Sequence, residues 1–457
     1  MASPERGMWG SRLGFILAAA GSAVGLGNIW GFPTQVGQGG GAVFVLVYLL
    51  CVLFVCAPIF ISELLLGRGS QKGPVGAFKK FAPNTKWWLV GALGVMCGVG
   101  ILSFYAVIAG WTFAYIYFTA VGGLGTNAEE IAAFFGTFTA NGPLSIALTF
   151  AFLFVTAACI LGGVQAGIER VTKMLMPALI LLLLILAARA LTLPGAAEGL
   201  AYYLKPDFSR AFDVNVLTAA LGQAFFSLSL GMGALIVYGS YLRRGDNLGM
   251  SALYVVLLDT FIALLAGFII FPTGFSIDGF DPSASGPGLI FQVLPQLFAS
   301  LPGGALFGAA FFVLLAMAAL TSTISLLEVP VSHCIDQYQW PRRKAVVVLG
   351  VATFALSIPS ALGNGSVASL SNLPAALGGN FLGFMALAWN SYALPVGGFL
   401  ISIFVGYRLG LDKAIAELTA ENAWFPSPAL WGFLIRYVSP AAIALIFLWP
   451  FISPLLS

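Results

Sequence analysis

Long apolar segments separated by short polar stretches make up most of the chain. Eleven of them approach the roughly 20 apolar residues that a membrane-spanning helix needs. The predicted spans are residues 12–37, 42–67, 88–120, 144–162, 168–190, 215–241, 249–274, 304–336, 344–360, 379–407 and 428–452. The third and eighth spans are longer than a helix that crosses the membrane perpendicularly, so tilted or protruding helices are expected there. The pattern predicts an all-α polytopic membrane protein with 11 transmembrane helices.

Glycine clusters interrupt two of these spans. The first span contains Gly21-Ser-Ala-Val-Gly-Leu-Gly-Asn28, and the sixth contains Gln223-Ala-Phe-Phe-Ser-Leu-Ser-Leu-Gly-Met-Gly233. Glycine is a poor helix former, and unwound backbone in lipid costs several kcal/mol for each unsatisfied peptide group. A single cluster is explained more simply as a close-packed helix interface. Two clusters in corresponding positions of two halves indicate a transporter site, where bare carbonyls bind a cation and bare amides bind an anion.

Composition and charge support a membrane setting and fix an expected orientation. Of the 457 residues, 60% are hydrophobic and 8% are charged, whereas a soluble domain is about 25% charged. With the N-terminus inside, 17 of the 20 Lys and Arg residues fall on the cytoplasmic side, and Arg189, Lys205 and Arg210 fall outside. This positive-inside bias predicts a cytoplasmic N-terminus and, after eleven spans, an external C-terminus. Spans one to five and six to ten then run in opposite directions, so any repeat between them is inverted.

The sequence lacks the residues that several other classes of protein need. The five cysteines lie in or beside apolar segments without metal-ligand spacing, so we interpret them as buried small hydrophobes and expect no disulfide. The sequence has no basic, aromatic-rich surface stretch of the kind that binds nucleic acid, so we do not expect nucleic acid as a partner. A membrane enzyme is disfavoured because His333 is the single histidine and no nucleophile motif has a nearby base.

Motifs along nearly the whole chain resemble the neurotransmitter:sodium symporter family. The first helix carries the resemblance in Arg6, Trp9, Arg12-Leu-Gly14, the Gly21–Asn28 stretch and Phe32-Pro33. Further matches are Glu63 before Gly67-Arg68, Tyr105 before Trp111, Gly167-Ile-Glu-Arg170 before Met176-Pro177, Gln223 to Gly233, Leu320-Thr-Ser-Thr323, Asp336, and Arg436-Tyr437 with Pro440. Short external loops and eleven spans resemble the bacterial amino-acid transporter branch. The resemblance implies a leucine-transporter-like fold with unwound helices one and six.

In that fold, residues 1–457 form one transporter domain. Residues 12–190 are the first five-helix repeat, 215–407 the inverted second repeat, and 428–452 the eleventh helix. The implied function is sodium-coupled import of a hydrophobic L-amino acid, aliphatic or aromatic, by alternating access. The expected location is the bacterial cytoplasmic membrane. The expected oligomeric state is a monomer or a weak oligomer. A channel of the same architecture, or a sensor that binds substrate without transporting it, stays open as an alternative.

The resemblance also implies a substrate site between the two breaks. The substrate carboxylate meets the amides around Leu26 and Gly27 and the hydroxyl of Tyr105. The amine meets the carbonyls of Ala23 and Phe226 and the hydroxyl of Ser229. The full set is Ala23, Gly25, Leu26, Gly27, Ile101, Tyr105, Phe226, Ser227, Ser229, Met232, Ser322 and Leu326. Outside these motifs, such an apolar stripe more often belongs to the helix core.

Two sodium sites follow from the same resemblance. One uses the carbonyls of Gly21, Val24 and Ala318 with the hydroxyls of Thr321 and Ser322. The second uses the Ala23 carbonyl, Asn28, Ser227, Asp259 and the substrate carboxylate. Unwound carbonyls and hydroxyls suit sodium, although a Thr-Ser pair in an apolar helix also commonly bonds to its own backbone.

Chloride is predicted not to be required. Chloride-dependent relatives bind the anion through Tyr, Gln, Ser and Asn side chains, and Tyr48, Gln223 and Ser227 match that set. The Asn position is Asp259 here, and Ala263 one turn later offers no hydroxyl. A carboxylate at position 259 would supply the negative charge beside sodium.

Gating and structural residues are implied on both sides of the site. Arg6, Trp9 and Asp336 match the inner gate. Glu63 matches a residue that holds the broken sixth helix through its amides, and Gly167 and Pro177 mark a helix able to unwind inward. Taken alone, the charges would be interfacial and the proline a kink.

The outer gate departs from the family. Gly31 stands where the family usually has Arg, and the stretch 378–382 has no carboxylate to pair with one. Both members of the usual ion pair are therefore missing together. We expect the outer side to close instead around Trp30, Tyr105 and Phe226.

Overall fold

The computed structural model describes residues 7–456 except 212, 278, 284–288, 301–302 and 421–422. Over those residues the chain is helical, with turns and loops but no β-strand. The all-α architecture predicted from the apolar pattern is thereby confirmed. Nine continuous helices of the described chain are long and apolar enough to cross a membrane, and a bent pair makes a tenth.

We number the helices after the predicted spans. α1 consists of Arg12–Ala23 (α1a) and Gly27–Gln38 (α1b), and α6 consists of Val214–Ser227 (α6a) and Ala234–Gly239 (α6b). The others are α2 Ala42–Ser70, α3 Trp88–Ala120, α4 Gly142–Leu161, α5 Val164–Ala190, α7 Leu248–Gly274, α8 Gly304–Tyr338, α9 Arg342–Leu362, α10 Phe381–Leu418 and α11 Pro428–Trp449. Because neither half of α6 is long enough to span a membrane alone, the count of eleven stays a prediction.

The break in α1 lies inside the glycine cluster. Val24 is extended, with φ −69° and ψ 110°, so it ends α1a. α1b begins at Gly27, and the two halves meet at 52°. The helix is therefore interrupted where the sequence predicts the interruption.

The break in α6 is enforced by the backbone. Ser229, Gly231 and Gly233 have φ of 53°, 83° and 76°, in the left-handed region that is easy for glycine and strained for serine. A Cβ on Gly231 would also lie 2.1 Å from the carbonyl oxygen of Leu394 in α10. Position 231 therefore excludes every side chain, both by its dihedral angles and by its neighbour.

α3 and α8 form the centre of the fold and share its most extensive helix contact. Small residues let their backbones approach. A Cβ on Gly98 of α3 would lie 3.0 Å from the Leu326 carbonyl of α8, and one on Gly94 would lie 3.2 Å from the Met232 carbonyl carbon of the α6 break. This packing brings side chains of α3 and α8 to the two broken helices.

Shorter helices connect the long ones. They are Pro74–Phe81, Ala128–Ala140, Ala196–Leu204 and, in the described part of the loop 276–303, Leu294–Ser300. α10 runs beyond the predicted end at residue 407. It passes Gly410, with φ 88°, into the short helix Leu411–Leu418.

Candidate functional site

A small cavity lies where the breaks in α1 and α6 face α3, α8 and α10. Its lining is Ala23, Gly25, Gly27, Ile101, Tyr105, Phe226, Ser229, Met232, Ser322, Leu326 and Leu394. Ten of the twelve residues implied for substrate are therefore brought together. Leu26 and Ser227 are buried beside the cavity rather than in its lining. Leu394 of α10 was not predicted, since nothing in an apolar helix marks which leucine faces a pocket.

The α1 side of the cavity is polar and closely fitted. The Leu26 amide donates to the Tyr105 hydroxyl at 2.9 Å. A Cβ on Gly25 would lie 2.5 Å from the Ser322 hydroxyl and 2.7 Å from that of Tyr105. Gly25 therefore leaves room where two hydroxyls and the broken backbone converge, and an anionic group placed there would meet hydrogen-bond donors.

The α6 side combines a strained serine with apolar side chains. Ser229 donates its hydroxyl hydrogen to the Ser22 carbonyl at 2.9 Å, which ties the α6 break to α1a. The ring of Phe226 covers Gly27, whose Cβ would lie 2.8 Å from it. The rest of the cavity wall comes mainly from Ile101, Met232 and Leu326. The cavity thus has a polar end at the two breaks and an apolar body.

Oxygen atoms from α1 and α8 converge next to the cavity. Thr321 donates to the Ala318 carbonyl at 2.9 Å and lies 3.4 Å from the Val24 carbonyl. The Ser322 hydroxyl lies 3.2 Å from the same Val24 oxygen. Gly21 packs on Thr321, with its Cβ position 3.1 Å from the threonine Cβ. The five residues implied for one sodium site are therefore neighbours, and they present carbonyl and hydroxyl oxygens.

A second polar cluster is centred on Asp259 of α7, which is fully buried. Asn28 Nδ2 donates to Asp259 Oδ1 at 2.8 Å and to the Ser227 hydroxyl at 3.0 Å, and Ser227 donates to Asp259 Oδ2 at 2.8 Å. Tyr48 donates to Ser227 at 3.2 Å. Gln223 Nε2 donates to the Gly27 carbonyl at 2.8 Å. Asn28, Ser227 and Asp259, which are implied for sodium, therefore form one hydrogen-bond network with Tyr48 of the chloride set, and Gln223 bonds separately to Gly27.

Glu63 of α2 holds the α6 break. Its Oε1 accepts a hydrogen bond from the Gly231 amide at 2.7 Å, the kind of contact that the resemblance implies. The residue is fully buried, and its Oε2 has no hydrogen-bond partner in the described chain. The unwound backbone of α6 is thus satisfied by a carboxylate from another helix, as burial in an apolar medium requires.

The end of the bundle near Trp9 and Asp336 is held together by hydrogen bonds, one buried and one partly buried. Trp9 Nε1 donates to the Tyr238 carbonyl at 2.9 Å, and the Gly73 amide donates to Asp336 Oδ2 at 2.7 Å. Arg6, the third residue implied for the inner gate, lies outside the described residues. Gly167 belongs to a π-helical turn at the start of α5, and Pro177 lies inside that helix.

Two polar clusters at this end, around Glu328 and Glu169, were not predicted. Arg342 Nη1 and Nη2 donate to Glu328 Oε2 and Oε1 at 2.8 and 2.7 Å, and Tyr241 donates to Oε1 at 2.7 Å. Glu169 accepts from the Gly10 amide at 2.7 Å and from Ser11 at 2.9 Å. Glu328 could have been identified from the sequence, because a carboxylate inside a predicted span marks a functional or paired group.

The side that carries Gly31 lacks an arginine there. A Cβ on Gly31 would lie 3.1 Å from Gln223 Oε1, so Gln223 occupies the neighbouring space. Asn380 caps α10 by accepting from the Gly383 amide at 2.7 Å. The Trp389 ring packs on Gly100 of α3, with Cε2 2.1 Å from that residue's Cβ position. Within the described residues, the position of the usual arginine is thus bordered by the Gln223 amide.

Comparisons with known proteins find relatives along nearly the whole chain. A sequence model of the sodium:neurotransmitter symporter family matches residues 6–126 and 126–455. The uncharacterized sodium-dependent transporter YhdH of Bacillus subtilis is 38% identical over 442 residues, covering 96% of each chain. An uncharacterized sodium-dependent transporter of Haemophilus influenzae is 35% identical, covering 97% of this chain and 98% of its own. The crystal structure of MhsT in complex with L-phenylalanine superimposes with a TM-score of 0.89 at 44% identity, covering 97% of this chain and 99% of that one.

Proposed function

This chain belongs to the sodium:neurotransmitter symporter family, and from that premise we propose that it imports hydrophobic L-amino acids, aromatic ones included, together with sodium. The observation that carries the proposal is the cavity between the two broken helices. It has hydroxyls and broken backbone at one end and an apolar body at the other. An amino acid has the complementary arrangement, with its charged groups at one end and its side chain at the other.

The residues that line the cavity support a substrate with a neutral, hydrophobic side chain. Ile101, Met232, Leu326 and Leu394 surround the body of the cavity, and no charged residue lines it within the described chain. A charged side chain would lose its hydration there without gaining a partner. Methionine is unbranched and adaptable, so Met232 allows larger guests such as aromatic rings. MhsT, which is 44% identical, has been crystallised with L-phenylalanine.

Two sodium ions are proposed to accompany the substrate. The oxygens of Val24, Ala318, Thr321 and Ser322 offer one site made from backbone and hydroxyls. The cluster of Asn28, Ser227 and Asp259 offers the other, completed by the Ala23 carbonyl and the substrate carboxylate. Because substrate would then be a ligand of one ion, each should raise the other's affinity.

We further propose that transport does not require chloride, because Asp259 already supplies a negative charge inside the network that would otherwise hold the anion. The inner gate is proposed to consist of Arg6, Trp9 and Asp336, with alternating access between the two membrane faces.

The positive-inside bias supports a cytoplasmic N-terminus, an external C-terminus and the cytoplasmic membrane of a bacterium. A monomer or weak oligomer would suffice, since the cavity is formed within one chain.

The deciding experiment measures both binding and movement. Purified protein is titrated with each of the twenty amino acids in sodium and in choline buffer, and labelled substrate is followed into proteoliposomes. We expect hydrophobic amino acids to bind only in sodium and to exchange in counterflow. Equal affinity in both buffers would refute sodium coupling, and a preference for charged amino acids would refute the substrate class. Binding without counterflow would identify a sensor instead.

A further inference from the structure

Arg436 lies inside α11 without an acidic partner in the described chain. The ion pairs of the described residues are Arg68–Glu417, Lys173–Glu169, Arg210–Asp213 and Arg342–Glu328, and none includes it. Its Nε atom is buried without a hydrogen-bond partner. Arginine within a spanning helix is costly unless it reaches a counter-charge or the interface. A cation held in this way is open to an anion from outside the chain.

The neighbouring helix α10 packs closely against the backbone and stem of Arg436. α10 and α11 both contain π-helical turns here, Phe404–Gly410 and Leu434–Val438, a feature that is frequent at functional sites. A Cβ on Gly406 would lie 3.1 Å from Arg436 Cα, so the two helices approach closely. The Tyr407 hydroxyl donates to the Arg436 carbonyl at 2.9 Å. The arginine stem is thereby packed against α10 rather than left mobile.

Two aromatic rings flank the charged group. Arg436 Cζ lies 4.9 Å from the centroid of Tyr407 and 5.6 Å from that of Tyr437. Both rings, and Phe433 one turn earlier, are about half exposed: 49%, 52% and 53%. Rings that flank a planar guanidinium leave its edge available for hydrogen bonds. Because exposed aromatics of this kind occur at the bilayer interface, this face is directed toward lipid.

The charge at this end of the two helices is positive. Arg408 follows Tyr407 and is exposed, and Arg436 lies eight residues into α11, about 12 Å along its axis. Within the described chain Asp412, four residues after Arg408, forms no ion pair with either arginine, and Glu417 is paired with Arg68 instead. By the positive-inside rule this end faces the cytoplasmic leaflet, where a net positive surface attracts anionic headgroups.

We propose that the surface formed by Tyr407, Arg408, Phe433, Arg436 and Tyr437 binds the phosphodiester of an anionic glycerophospholipid. The edge of the Arg436 guanidinium would donate to two phosphate oxygens, the geometry in which arginine binds phosphate best. Arg408 would supply a second positive charge. The acyl chains would lie along Phe433 and Tyr437. The site is separate from the amino-acid cavity, and its test does not depend on transport.

The test is lipid retention by the full-length protein in neutral detergent, measured by native mass spectrometry. Phosphatidylglycerol and phosphatidylcholine with identical acyl chains are compared, and inorganic phosphate is tested alone. We expect phosphatidylglycerol to be retained in preference, and R436Q to weaken its apparent affinity about tenfold or more. R343Q is the matched control, because Arg343 is an exposed arginine at the start of α9, and we expect it to behave as the unmodified protein.

R436K and Y437L keep the test valid if R436Q folds poorly. R436K retains the charge without the planar fork, and Y437L removes one half-exposed ring, so each should weaken retention less than R436Q does. Equal losses in R436Q and R343Q would overturn the proposal in favour of diffuse surface charge. Equal retention of the two lipids would also overturn it. Occupancy by inorganic phosphate that displaces the lipid would assign the site to a soluble anion instead.

Discussion

Glu328 and Arg342 join α8 to α9 through two hydrogen bonds of 2.7 and 2.8 Å, and the glutamate side chain has no solvent exposure. Both donors come from one guanidinium, which is the favourable planar geometry for arginine and carboxylate. Tyr241 adds a third hydrogen bond from the loop that follows α6b. Three parts of the chain are thereby fixed to one another at the end that carries Trp9.

Replacing the arginine should destabilise the protein strongly. Arg342→Met removes two hydrogen bonds from a buried carboxylate, and losing one partner of such a pair typically costs about 3–5 kcal/mol. We expect a clear fall in the melting temperature of the purified protein. Arg343→Met removes an exposed arginine at the next position and should change the melting temperature little. A double change, Arg342→Met with Glu328→Gln, should recover part of the loss, and equal melting of all three variants would contradict the argument.

Sodium dependence should weaken when two hydroxyls of α8 are removed. Thr321→Ala with Ser322→Ala deletes side-chain oxygens that lie 3.4 and 3.2 Å from the Val24 carbonyl. A polar contact to an ion is worth about 1.5–3 kcal/mol, so the sodium concentration for half-maximal substrate binding should rise by about tenfold or more. Thr323→Ala is the control, because that hydroxyl faces Thr156 instead, at 2.8 Å. An unchanged sodium titration of the double variant would argue against this site.

Leu394 should set the fit of aliphatic substrates. Leu394→Ala enlarges the cavity, so a leucine-sized guest would lose contacts on one side, and we expect its affinity to fall several-fold. Aromatic substrates, which can occupy the added space, should be affected less. Leu356→Ala changes a half-exposed leucine of α9 and should leave both affinities as they are. A uniform loss across all substrates would indicate that Leu394 supports the α6 break and does not select the guest.

The sequence predicts the breaks because their cause is local. Gly21–Asn28 and Gln223–Gly233 contain residues that disfavour helix in any context, and the structure interrupts α1 and α6 there. The cavity lining was largely predictable for a different reason, namely that the family motifs fix the register of α3 and α8. Leu394 was missed because its orientation depends on how α10 packs against Gly231.

Element ends were harder to predict because they depend on packing. The interruption of the sixth span was predicted over Gln223–Gly233, whereas the first helical half continues to Ser227 and the second begins at Ala234. α10 extends beyond residue 407 because the chain turns at Gly410 and continues as Leu411–Leu418. That short helix is held by a contact with α2, because Arg68 Nε donates to Glu417 at 2.9 Å. Apolar periodicity carries no information about such a contact between distant segments.

Chloride dependence should appear when the charge at position 259 is removed. In Asp259→Asn the size of the side chain is kept and one of the two acceptor oxygens remains, but the negative charge between Asn28 and Ser227 is lost. A sodium ion in a buried site without a counter-charge is costly, so sodium-driven uptake should fall. If the lost uptake is due to the missing charge, added chloride should restore part of the uptake, because Tyr48, Gln223 and Ser227 already lie near the site.

The measurement is initial uptake in proteoliposomes with chloride or gluconate as the anion. The unmodified protein should transport equally well in both, and Asp259→Asn should transport better in chloride. Glu129→Gln, which removes an exposed carboxylate from the helix Ala128–Ala140, should show no anion effect. If the unmodified protein loses uptake in gluconate, Asp259 does not replace the anion. If Asp259→Asn fails in both salts while still binding substrate, the carboxylate acts as a sodium ligand that chloride cannot replace.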